Sequence, residues 1–158
     1  MRNLDEVFSN FEQGLAELNH SREQEKQAKD TKRANFVSAL NSLQETISKM
    51  VTGRTAGGFG FSIDLTPAWA INLNSLAMKI NAHDIGEGIA RVIVESSGGR
   101  QSVPFSGNKS VFIRFDTGGW SFQEGEYLGP LSTEDLATTL VEHLLKCYIE
   151  FQRERPLS

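Results

Sequence analysis

Six consecutive residues, His83-Asp84-Ile85-Gly86-Glu87-Gly88, gather one imidazole and two carboxylates, groups that move protons near neutral pH. General acid/base chemistry also needs a tuned pKa inside a cleft. A polar segment with two glycines makes a turn more readily than it makes burial. A second pair, His143 and Cys147, sits one helical turn apart, a spacing at which two metal ligands can share a helix face. Two ligands do not close a zinc site, and His20, His83 or a carboxylate would have to complete it. Both residues fall on the face that carries Leu136, Leu140 and Phe151, where cysteine is a common small core residue and a partly buried histidine needs one hydrogen bond. The sequence therefore assigns no catalytic residue, no metal and no cofactor.

The glycine-rich stretches carry equally little chemistry. GRTAGGFG, from Gly53, lacks the lysine-serine ending of a phosphate loop, and SGNKS at 106–110 has the lysine and serine without the preceding spacing. Backbone amides of GRTAGG together with Arg54 could form an anion nest; otherwise the segment is a hinge. Phe115-Asp116-Thr117-Gly118-Gly119 resembles the active-site signature of the aspartic proteases, a resemblance that would imply a catalytic Asp116 in a β-rich fold. It covers these few residues alone. Only 40 residues follow Gly118 and more than half of them read as helix. Asp-Thr-Gly-Gly also suits a hairpin, with aspartate capping the turn and glycine supplying positive φ.

The elements that would position these groups divide at Gly53. Before it there is no proline and one glycine; all four prolines and the other thirteen glycines lie from Gly53 onward. Residues 1–52 read as a helical arm and 53–158 as a body. In the arm Leu4, Phe8, Phe11, Leu15 and Leu18 are spaced four, three, four and three, and the rhythm returns in Phe36, Leu40, Leu43, Ile47 and Met50. Between them lie seventeen residues without a large apolar side chain, mostly good helix formers. Leu18 and Phe36 are eighteen residues apart, about five turns, so one unbroken helix aligns both apolar stretches. Asn19, Ser21, Asp30 and Thr31 are capping types that would allow a helical hairpin instead. At about 100° per residue, Arg22, Lys26, Lys29 and Arg33 share the apolar face, a possible anion contact or else a solvated connector.

The body alternates like a sheet. Phe59, Phe61, Ile63 and Leu65 have the period of a half-buried strand. Residues 66–82 fit a helix begun by Thr66-Pro67, or a hairpin with Trp69, Ile71 and Leu73 facing Leu76, Met78 and Ile80 across Asn74-Ser75; we favour the hairpin. IARVIVES, SVFIRFD and WSFQ complete an antiparallel meander of about four to six strands. From Ser132, an N-cap followed by Glu134 and Asp135, a helix of about six turns runs to Pro156 with Leu136, Leu140, Leu144 and Phe151 inward. The expected fold is α+β: a long N-terminal helix or helical hairpin, then an antiparallel sheet packed against a long C-terminal helix. If Val111, Ile113 and Phe115 face the core, Phe112 and Arg114 face outward. With Trp120 and Phe122 they form a candidate partner-binding surface, unless a folded-back arm covers it.

Composition narrows the function. A formal net charge of −4 disfavours a general nucleic-acid binder, and the longest apolar runs are too short to span a membrane. One cysteine and an N-terminus without a secretory apolar run point to the cytoplasm. The arm's apolar stripe must be covered, and a second arm is the favoured cover, giving a homo-oligomer, dimer first. The reading is a non-enzymatic protein-binding factor of inhibitor, immunity or adaptor type that self-associates through Leu4, Phe8, Phe11, Leu15, Leu18, Phe36, Leu40, Leu43 and Ile47. The alternative is a body that binds a small ligand or nucleotide, with hydrolysis as an option, through the glycine loops and the His83–Glu87 turn.

Overall fold

The computed structural model describes residues 3–66, 68–96, 111–117, 119–124 and 126–154 of the 158-residue chain. The SGNKS stretch at 106–110, Gly118 and Pro156 lie outside the described residues. One helix, α1 (Leu4–Val51), occupies 48 residues, about 72 Å. Asn3 caps it by accepting a 2.9 Å hydrogen bond from the Asp5 amide, and Asp5 and Glu6 lie in the first turn, where carboxylates complement the helix dipole. The capping types at 19, 21, 30 and 31 do not interrupt it. The connector is rich in helix formers, and His20 and Gln24 bond one turn apart. The helix ends at Thr52, and Gly53 turns the chain away at φ 79°.

Eight strands follow in a meander, each antiparallel to the next in chain order: β1 (Thr55–Ala56), β2 (Phe59–Asp64), β3 (Ala70–Leu73), β4 (Leu76–Asp84), β5 (Ile89–Ser96), β6 (Val111–Asp116), β7 (Gly119–Glu124) and β8 (Glu126–Leu131). The expected count of four to six is corrected to eight by the two edge strands. Gly57 and Gly58, both at positive φ, close a two-residue hairpin that makes GRTAGG part strand and part turn. Residues 70–84 are the expected hairpin: Leu73 pairs with Leu76 across Asn74-Ser75, with Asn74 at φ 54°. Helix α2 (Thr133–Glu154) closes the fold, its first turn capped by the Ser132 hydroxyl accepting from the Asp135 amide at 3.1 Å.

Both helices cover one face of the sheet. Phe36, Leu40, Leu43, Ile47 and Val51 of α1 and Leu136, Ala137, Leu140, Leu144 and Cys147 of α2 join Ile71, Met78, Ile80, Val92, Val94 and Ile113 in one core. Two polar ties fix α1 across the strands: Gln44 Nε2 donates to the Ile80 carbonyl at 2.9 Å, and Trp69 Nε1 donates to Ser48 Oγ at 3.0 Å. The last third of α1 is thus part of the body's core, and the change in composition at Gly53 marks the helix end. No residue from Asn3 to Asn35 is buried. The rest of α1 projects from the body as an exposed rod.

Candidate functional site

On the sheet face opposite the helices, the β4–β5 turn and β6 bring together residues that are distant in sequence. Asp84 Oδ1 accepts from the Glu87 amide at 3.2 Å, and the Gly88 carbonyl accepts from the Phe115 amide at 2.8 Å. Gly88 has φ 72°, and a Cβ there would stand 2.5 Å from the Phe115 carbonyl oxygen, so this turn requires glycine. The turn docks on β6. The His83 ring packs on Phe112 with centroids 5.1 Å apart, and Arg114 Nη2 meets Glu87 Oε2 at 3.4 Å. Phe112 is 40% exposed, and the side chains of Arg114 and Glu87 are 52% and 59% exposed. The result is a solvated aromatic and charged patch on the sheet. It offers contact area and a polar rim and, among the described residues, no enclosure that would tune a proton-transfer group.

The expected partner-binding set divides. Phe112 and Arg114 face outward, whereas Trp120 and Phe122 are buried in the core at 1% and 4% exposure. This corrects the expected outward placement. In the β6–β7 hairpin Phe115 pairs with Trp120 and Ile113 with Phe122, and paired residues share a sheet face. Ser121 and Gln123 occupy the outward positions. The sequence singles out His83 for proton transfer and not for this surface; it lies on β4 at the bulge between Ala82 and Asp84, from which its ring reaches Phe112.

The remaining candidates are also placed. His143 and Cys147 are buried side by side, Cys147 Sγ 3.8 Å from His143 Nε2, with His143 edge-on to Phe122. Among the described residues, no group of three or more His, Cys, Asp or Glu is arranged to hold a metal. Asp116 and Thr117 are exposed in the β6–β7 turn, Asp116 pairing with Gly119. They border an open groove of about 1220 Å³ against α1, lined also by Lys32, Phe36, Ala39 and Phe115. Arg22, Lys26, Lys29 and Arg33 are exposed on the projecting rod. Of the nine residues of the arm contact face, Phe36, Leu40, Leu43 and Ile47 are buried against the body. Leu4, Phe8, Phe11, Leu15 and Leu18 are 43% to 68% exposed, as is their neighbour Val7. Among the described residues, no helix is long and apolar enough to cross a membrane. Compared with known proteins, the chain matches no family model, no curated protein and no solved structure.

Proposed function

We propose that this chain is a non-enzymatic protein-binding factor, of inhibitor, immunity or adaptor type, that self-associates through the projecting half of α1. The observation that carries this reading is the apolar stripe Leu4, Phe8, Phe11, Leu15 and Leu18, solvent-exposed on a helix whose other end is anchored in the core. An amphipathic helix in water gains most of its stability by packing that stripe, and the body leaves it uncovered. The outer sheet patch of His83, Phe112, Arg114 and Glu87 is the surface offered to a target protein, because an exposed aromatic beside an arginine is the residue pairing that protein interfaces favour. A cytoplasmic setting suits the chain's single cysteine, Cys147, which is buried and outside any disulfide.

Phe8→Glu with Phe11→Glu tests the assembly half of this reading. Dynamic light scattering and sedimentation velocity at matched concentration are expected to show a dimer for the unaltered chain and a monomer for the double variant, with the same circular dichroism spectrum for the body. Equal sedimentation of the two proteins at the monomer value would remove the arm from assembly.

A further inference from the structure

The exposed stripe carries enough pattern to say how a second copy would cover it. Its residues alternate between two kinds of position, Leu4, Phe11 and Leu18 in one and Phe8 and Leu15 in the other, the seam of a two-helix coiled coil. The charges along the rod are segregated. From Asn3 to Asn19 there are four acids, Asp5, Glu6, Glu12 and Glu17, and no lysine or arginine; from 20 to 35 there are five basic residues against three acids. A parallel, in-register pair would place all four acids of one copy beside those of the other and align two helix dipoles. An antiparallel pair avoids both.

In antiparallel pairing a residue of one kind faces a residue of the other, so few registers are open. Two of them bury four apolar layers drawn from these five side chains. In the first, Phe8 faces Phe11 and Leu4 faces Leu15, and Asp5 is then set beside Glu12 of the second copy. In the other, Phe8 faces Leu18 and Phe11 faces Leu15, each twice by symmetry. Leu4 then lies on the aliphatic stem of Arg22 of the second copy, Asp5 is set beside its Asn19, and a single acid pair, Glu12 with its own counterpart, replaces the two Asp5–Glu12 pairs of the first register. Gly14 separates the two. It is a mid-helix glycine with nothing within 4 Å of where a Cβ would stand, so the isolated chain gives it no reason to be glycine, at a cost of about 1 kcal/mol of helix propensity. In the second register Gly14 flanks the seam beside Gly14 of the other copy at the two-fold axis, where a missing side chain lets the backbones approach.

We propose that two copies pair antiparallel along residues 4–22, with the two-fold axis between Gln13 and its counterpart; the proposal rests on the self-association inferred above. Each body begins at Phe36, about 34 Å from the axis on opposite sides, so the bodies stand apart and the outer sheet patch of each stays open. The assembly is a two-ended rod presenting two identical target surfaces.

Distances between nitroxide labels test the register. The labels go singly on Glu6→Cys, Gln13→Cys and Gln27→Cys of the full chain, with Cys147→Ala removing the native thiol, and are read by double electron–electron resonance. All three sites lie on the rod's outer side, away from the stripe. The axial offsets between like labels are about 21, 0 and 42 Å respectively, so the distance is expected to be shortest at Gln13 and to rise through Glu6 to Gln27. Gly14→Gln is expected to raise the dimer Kd about tenfold although it improves helix propensity. Equal distances at all three sites would overturn the antiparallel arrangement while leaving self-association in place. Equal distances at 6 and 13 with a longer one at 27 would overturn the register. No intermolecular distance at any site, with a monomer mass in sedimentation, would remove self-association itself.

Discussion

Whether a side chain in the β6–β7 hairpin serves the core or the surface is decided by one-residue parity. Trp120 packs against Phe36 and Phe115, with ring centroids 6.4 and 5.1 Å away, and is among the largest fully buried side chains. Trp120→Ala is expected to cost about 3–5 kcal/mol in urea unfolding, whereas Phe112→Ala should cost under about 1 kcal/mol. Similar losses for both would contradict the inward and outward assignment. Among the described residues the buried Trp120 Nε1 donor meets no hydrogen-bond acceptor, so Trp120→Phe removes an unsatisfied group together with some packing and should cost much less than Trp120→Ala. Gly88→Ala combines a positive φ with a clash on the Phe115 carbonyl; a loss of about 1–3 kcal/mol is expected in the same measurement. At this scale the sequence was legible where alternation was uninterrupted. It placed Phe112 and Arg114 outward and Leu136, Leu140 and Leu144 inward, but could not fix the phase of β7. The pairing of Asp116 with Gly119 sets that phase, and composition does not reveal how many residues a turn consumes.

Helix α1 behaves as two segments with different obligations. Its last third holds the sheet, while its first two thirds bury no residue and only their end, near Lys32, borders the groove against the body. Leu43→Ala should therefore destabilise the fold by about 2–5 kcal/mol, while Phe11→Glu should leave the body's melting temperature unchanged and abolish association. Thermal melts and sedimentation on the same two variants check both halves. If Phe11→Glu lowers the body's melting temperature, the rod contributes to the fold in a way its exposure does not show. The helical character of α1 is legible in the sequence, but its continuity is not: an eighteen-residue gap equal to five turns fits one rod, and the capping types at 19, 21, 30 and 31 fit a hairpin. Its division of labour is not legible either, because both apolar stretches follow the same spacing and differ only in whether a sheet lies beneath them. The edge strands escaped notice for local reasons. β1 is two residues between glycines, and β8 contains Gly129-Pro130, breakers that an edge strand tolerates because one side of it needs no ladder. The hairpin of β3 and β4 was legible because Asn74 offers the positive φ that its two-residue turn uses.

Among the described residues, both helices pack on one sheet face and neither covers the other, so the surfaces proposed for assembly and for target binding are spatially separate. The chemical-looking motifs dissolve into this architecture. Asp116 belongs to a hairpin, His143 and Cys147 are buried, and Asp84 and Glu87 belong to the β4–β5 turn next to the contact of His83 with Phe112. What remains without a structural duty is the exposed stripe of α1. Sedimentation equilibrium of the full chain, from about 5 to about 500 µM, tests that central claim most directly, since a weak homodimer changes its average mass across such a range. The account predicts an average mass that climbs from the 17.5 kDa of one chain toward twice that value, and a flat 17.5 kDa for the Phe8→Glu, Phe11→Glu variant. A flat 17.5 kDa for the unaltered chain at every concentration would contradict it.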